Sequence, residues 1–287
     1  MKIVIQVVGA FTDDGKGGNP AGVVLQSERF SQTQKQLIAA KAQFSETAFV
    51  SPSQSADYKL EFFTPSKQIP HCGHATIATF GYLFQTGQIT GQTSSMETID
   101  GNRAILFVDD MAFMEQRAPR YEAISAQEVL SSLGINSEQL LDGYSPIIVN
   151  TGNSFVLVPL RDEAAVRGVH PKFETIEQIS AKYNLIGYYV FSRQTQVAGR
   201  DAGARMFAPL YGIQEESATG MAAGPLACYL NDYMKIQRDQ FIIEQGLLMT
   251  PPSPSELIAR LDLKNAKIQK LLVGGKSTPL RTMEVEI

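Results

Sequence analysis

The stretch "PHCGHATIATFGYL", Pro70 to Leu83, places two histidines and a cysteine within four residues, directly ahead of an apolar run. Imidazole and thiol groups at that spacing could hold a metal, cycle between redox states, or move protons in a pocket. His71, Cys72 and His74 are too close in sequence to preorganise a three-ligand site without unusual turn geometry, and the only other histidine is His170. Cys72 and Cys228 are the only cysteines, which excludes a multi-thiolate zinc site and a disulfide-rich fold. The expectation is therefore no metal. Two acidic stretches complete the chemistry-bearing set. Glu46 of "SETAFV" sits among Ala48, Phe49 and Val50, and an apolar pocket there would raise its pKa toward the range useful for proton transfer. It reads equally as a solvent-facing glutamate at a helix-to-strand junction. Glu215-Glu216-Ser217-Ala218-Thr219-Gly220 is either an acidic helix cap or part of a site. His74 either binds an anion or caps a turn, His71 reads as structural or exposed, and Cys228 reads as core.

The elements that must position these residues alternate between strand and helix. "KIVIQVVGAF" and "AGVVL" are strand-like, separated by the turn Gly15 to Pro20, which lacks the spacing of a nucleotide-binding P-loop. "SQTQKQLIAAKAQF" predicts a half-buried helix capped by Ser31 or Thr33. "SETAFV" and "YKLEFFTP" are extended. Ala75 to Phe84, with no proline and little charge, suits a helix inside the fold, where Gly81 permits close packing.

This order occurs twice. "GGNPAGVVL" has a counterpart in "TGNSFVLVPL", "ETAFV" in "GYYVF", Phe63-Thr64-Pro65 in Phe207-Ala208-Pro209, and "CGHATIATFGYL" in "TGMAAGPLACYL". An internal duplication explains the shared order. It predicts two lobes, 1–117 and 118–279, with a strand at about 280–287 returning to the first. Each lobe is expected to carry a glycine-led helix, and the unpaired N–H groups at the two N-termini are expected to face one shared cleft. Pro225 is expected to kink the second helix or displace its start.

Together, "GGNPAGVVL", "SETAFV", "FFTP", "CGHATIA" and "FAPLYGIQEESATG" resemble the phenazine-biosynthesis isomerase (PhzF-like) family. The resemblance implies an α+β, diaminopimelate-epimerase-like fold: two similar lobes, each a curved barrel-like sheet around a central helix, often assembled as a homodimer. Its best-known activity isomerises trans-2,3-dihydro-3-hydroxyanthranilate. By correspondence, Glu46 is the catalytic acid/base, with His74 and Glu216 in the catalytic set. Asn19, Cys72, Gly73, Thr219 and Gly220 are the substrate-binding candidates. Two departures mark a changed substrate set: Glu216 where the family commonly has aspartate, and Gln68 where related sequences often have glutamate.

The implied function is a cofactor-independent isomerase that shifts a proton on a small carboxylated, cyclic or unsaturated metabolite. A non-catalytic metabolite-binding protein of the same fold is the alternative. An amino-acid racemase or epimerase stands lower, since Thr219 replaces the second thiol. The 287 residues carry 25 basic and 29 acidic side chains, a formal charge of −4, which offers no electrostatic case for nucleic acid. No apolar stretch approaches the ~20 residues of a membrane span, and a cytoplasmic location is the expectation.

Overall fold

The computed structural model describes residues 1–287. The chain divides into two compact units, Met1–Glu115 with Gly274–Ile287, and Gln116–Val273. Residues 116–117, expected in the first lobe, fall in the second unit, and residues 274–279, expected in the second lobe, fall in the first. The physical reason for the latter is that the C-terminal strand already begins at Ser277, opposite Ala10.

In the first unit, β1 (Lys2–Ala10) and β2 (Asn19–Val24) form an antiparallel pair. The turn between them needs Gly18, whose φ is +78° and where a Cβ would lie 2.5 Å from the Ala10 carbonyl oxygen. Helix α1 (Gln32–Ala42) starts from a Ser31–Gln34 capping box and buries Ile38, Ala39 and Ala42. It also buries Lys35, whose ammonium pairs with Glu61. The chain returns so that β3 (Thr47–Pro52) lies parallel to β2, with β4 (Tyr58–Phe63) antiparallel to β3 and the short β5 (Gln68–Ile69) antiparallel to β4. Helix α2 (Gly73–Gln85) follows. Then β6 (Thr93–Thr98) joins β4 in parallel, and β7 (Gly101–Val108) and β8 (Met111–Arg117) extend the meander.

The second unit repeats these pairings. It opens with β9 (Arg120–Ala123), α3 (Ala126–Ser132) and β10 (Ile147–Asn150), with β9 antiparallel to β10. Next, β11 (Ser154–Pro159) is antiparallel to β10, and α4 (Glu163–Arg167) and α5 (Phe173–Tyr183) lead to β12 (Gly187–Ser192), parallel to β11. β13 (Ala202–Ala208) is antiparallel to β12, β14 (Ile213–Glu216) to β13, and α6 (Gly220–Asp232) precedes β15 (Gln240–Gln245), which joins β13 in parallel. Finally, β16 (Ser255–Lys264) is antiparallel to β15 and is followed by β17 (Lys267–Gly275). Matching senses of pairing, strand by strand, are what a duplicated α+β unit requires.

Each unit wraps its sheet about one helix. In α2 every residue from Gly73 to Gly81 is buried, with no acidic residue in the first turn and no basic residue in the last. Such a helix is held by packing on all sides rather than by one amphipathic face; it lies against β1, β2, β3 and the C-terminal strand. Gly81 permits this: a Cβ there would sit 2.4 Å from Ser277 Oγ, which itself donates to the Ile77 carbonyl at 2.9 Å. Helix α6 packs on β10, β11, β15 and β16. It runs unbroken from Gly220 through Pro225 to Asp232, so the start is not displaced. The residue before that proline is Gly224, the type least restricted by a following pyrrolidine ring.

Gly81→Ala should therefore destabilise the first unit by about 1–3 kcal/mol, the usual cost of overpacking. Urea denaturation checks this, and adding Ser277→Gly should recover part of the loss.

Candidate active site

The first unit brings Glu46, Cys72 and His74 together. Glu46 immediately precedes β3, and its carbonyl accepts from the Gly22 amide at 3.2 Å, so the β2–β3 pairing fixes where its side chain starts. Cys72 is the extended N-cap of α2, with no side-chain cap bond. Its carbonyl accepts from the Thr76 amide at 3.1 Å and the Thr76 hydroxyl at 2.7 Å, which locks the entry to the helix. His74, the second helical residue, then lies with Nε2 3.2 Å from Glu46 Oε2 and Nδ1 3.5 Å from Cys72 Sγ. All three side chains are buried. The Glu46 contact is a buried ion pair by distance.

Electrostatics decide the protonation states. Burial pushes the Glu46 carboxyl up, as its apolar neighbours led us to expect, but the charge of His74 and hydrogen bonds from His74 and Ser45 overrule it, and the net shift is below 4.5. The sequence expectation of a raised pKa is thus corrected: the opposing charge comes from a different element. Burial pushes the Cys72 thiol up despite the opposing pull of His74, so it is a thiol rather than a thiolate at neutral pH.

One donor atom each from Glu46, Cys72 and His74 lies within 4.8 Å of the others, so the nearest metal-ligand set includes Glu46 rather than His71. His74 turns different nitrogens to its two neighbours, however, and one cation cannot replace both contacts without movement of a side chain. Asn19, at the start of β2, is buried in the same unit.

The second unit gathers Glu216, Thr219 and Gly220 at the start of α6. The Thr219 hydroxyl donates to Glu216 Oε2. Gln245, at the end of β15, knits this corner: its Nε2 donates to the Glu216 carbonyl at 2.7 Å, and its Oε1 accepts from the Thr219 amide at 3.0 Å and the Tyr189 hydroxyl at 2.8 Å. Gln116 holds the next residue, donating to the Gly220 carbonyl at 3.0 Å while accepting from Thr151 at 2.7 Å. Sequence reasoning missed Gln116, Tyr189 and Gln245. "FIIEQG" shows only an apolar strand ending, and nothing in it marks the glutamine as a bracket for Glu216. Glu215, the other acid of the pair, instead forms a bidentate contact with Arg205 at 2.8 Å and is a structural partner.

Registers show what the duplication retained. Thr47 pairs with Phe63 and Tyr188 with Phe207, so Glu46 corresponds to Gly187, where a Cβ would lie 2.3 Å from the Phe207 carbonyl oxygen. Cys72, Gly73 and His74 correspond to Thr219, Gly220 and Met221. The carboxylate–imidazole pair exists only in the first unit.

The family model for phenazine biosynthesis-like proteins matches residues 8–283. Among curated proteins, the chain is 31% identical over 245 residues to the uncharacterized isomerase YfhB of Bacillus subtilis, covering 83% of this chain and 84% of that one. It is 30% identical over 282 residues to the trans-2,3-dihydro-3-hydroxyanthranilate isomerase of Pseudomonas chlororaphis, covering 94% of each. The crystal structure of the Bacillus anthracis phenazine biosynthesis protein of the PhzF family superposes with a TM-score of 0.91 at 26% identity, covering 100% of both chains.

Because the Glu46 pKa is depressed in the folded protein, its ionised form should persist below 4.5, while the stability tied to it, full at neutral pH, is lost progressively as pH falls from about 4.5 through the lower folded value. His74→Asn removes the opposing charge and leaves burial, the largest effect, opposed only by the Ser45 hydrogen bond, so the pKa should move up. Carboxyl-carbon NMR of labelled glutamate across a pH titration measures both midpoints.

Proposed function

We infer the reaction from a premise the matches establish: the chain belongs to the phenazine biosynthesis-like family of isomerases, with the diaminopimelate-epimerase-like α+β fold. We propose that Glu46 takes a proton from a carbon of a small carboxylated, cyclic or unsaturated metabolite and returns it to another carbon. The carbon–hydrogen bond breaks, its electron pair spreads into the conjugated system as an enolate, and a new carbon–hydrogen bond forms. Atoms and electrons balance without a redox partner, so no cofactor is needed. The buried Glu46–His74 contact at 3.2 Å carries this reading. It keeps the carboxylate ionised and ready as a base, and holds it in place while it takes the proton and gives it back. The N–H groups of the first turn of α2, beginning at Gly73, are suited to a substrate carboxylate or the developing oxyanion.

Glu216, bonded to Thr219, is kept as a proposed participant, with Asn19, Cys72, Thr219 and Gly220 as proposed substrate contacts. The Pseudomonas relative suggests a dihydro-hydroxyanthranilate as one candidate substrate to assay. Racemisation by a thiol pair is the weaker reading, since Cys72 is held as a thiol and its counterpart is Thr219. No helix is long and apolar enough to cross a membrane. A homodimer in the cytoplasm, without nucleic acid or membrane as partner, completes the proposal on the habit of the family.

Because the conversion leaves mass unchanged, chromatography or NMR must follow it. Glu46→Gln keeps the shape of the side chain but removes the titrating group, and should lower turnover by about 10²-fold or more with a smaller effect on binding. Wild-type-like turnover in a folded Glu46→Gln protein would reject the assignment. Binding of small carboxylates with no rearrangement in either protein would favour a binding-only protein.

A further inference from the structure

Two residues of the first unit that the proton-transfer reading does not use, His71 and Arg103, also carry buried polar atoms without a partner. Both ring nitrogens of His71 are buried without a hydrogen-bond partner, and so is Nε of Arg103. Three unpartnered polar atoms on two neighbouring side chains are costly in a folded chain unless something else satisfies them.

Register explains why the two meet. Arg103 on β7 lies opposite Met96 on β6, and directly paired residues share a face of the sheet. Met96 faces α2, since its sulfur accepts from the Thr76 hydroxyl at 3.8 Å in the first turn. Arg103 is therefore directed to the same end of the helix, where Pro70-His71-Cys72 enters. Its Nη2 lies 3.6 Å from Asp100 Oδ2, and both side chains are part-exposed, so this contact leaves the Nε edge uncommitted.

We propose that His71 and Arg103 form an anion subsite that takes a second acidic group of the substrate, making this isomerase selective for compact dianions. One oxygen of a carboxylate would accept from Arg103 Nε–H and the other from an imidazole N–H of His71, which satisfies the stranded donors with charge-assisted bonds. His71 can serve as a neutral donor: burial first, and then the charge of Arg103, push its pKa down to about 4, with Asp100 pulling weakly the other way. Three peptide units separate His71 from His74, so their Cα atoms lie within about 11 Å and only a small molecule need span the two. The substrate class rests on the proton-transfer reading, whereas the subsite itself can be tested without turnover.

Isothermal titration calorimetry with glutarate and butyrate, a dicarboxylate and a monocarboxylate of similar size, provides the test. Wild type should bind glutarate about tenfold or more tightly than butyrate, the scale of one charge-assisted hydrogen bond. Arg103→Gln and His71→Leu should each bring glutarate toward butyrate while changing butyrate less than about twofold, within the range of a non-contact substitution. Arg103→Lys should retain part of the preference, and Asp100→Asn should not weaken it, since it removes a competing carboxylate. Ring nitrogens of His71 should shift in NMR spectra on adding glutarate and not on adding butyrate. Equal affinities in wild type, equal losses for both probes, or no binding of either would overturn the subsite and leave these atoms to water. If Arg103→Gln fails to fold, His71→Leu and Arg103→Lys decide. Should Glu46→Gln keep full turnover while the glutarate preference persists, the proton-transfer reading fails and the subsite stands.

Discussion

A carboxylate removed from water must either give up its charge or find a compensating one, and the first unit is organised around that choice at Glu46. His74 supplies the compensation at 3.2 Å. The parallel β2–β3 pairing sets the origin of the Glu46 side chain, and the burial of α2 on all sides sets that of His74. Gly81 allows the helix to seat against Ser277, so packing about two helical turns away from His74 fixes the height of the imidazole. A base held ionised by a neighbour, rather than made more basic by burial alone, is charged and in place at neutral pH when a proton must be taken. This suits a reaction in which one proton leaves a carbon and returns to another.

The duplicated fold is expressed twice, but the carboxylate–imidazole pair only once. Gly187 stands where a second Glu46 would be, and the backbone of Phe207 leaves no room for a side chain there. Met221 replaces the imidazole and Thr219 the thiol. What the second unit builds is a neutral and acidic corner, Glu216 and Thr219 bracketed by Gln245 and Tyr189, with Gln116 holding the start of α6. Glutamine is well suited to that bracket, since its amide both donates and accepts and can join a carbonyl, an amide and two hydroxyls.

Much of this was legible in the sequence for simple reasons. Short apolar runs separated by glycine and proline turns marked the strands, and the uncharged run after Cys72-Gly73 marked a helix buried on all sides. The repeat of Phe-Thr-Pro as Phe-Ala-Pro aligned the two units closely enough that Glu46 and Gly187 fall in equivalent registers. Three things were hidden because they depend on residues distant in the chain. The sign of the Glu46 shift needs His74, which the apolar neighbours of Glu46 do not announce. Gln245 and Gln116 become brackets only when β15 and β8 reach α6. Pro225 reads as a helix breaker in isolation, yet the preceding Gly224 and the surrounding packing keep α6 continuous. Arg103 was silent for the same reason, since only its pairing with Met96 turns it toward His71.

The central claim is that a single buried carboxylate–imidazole pair moves a proton between carbons. Single-turnover kinetics with a substrate deuterated at the carbon that loses its proton test it most directly, with product deuterium located by NMR. The account predicts slower conversion of the deuterated substrate by the wild-type protein and its loss to background when Glu46 cannot titrate. Conversion at the same rate for both substrates, unaffected by the state of Glu46, would contradict it.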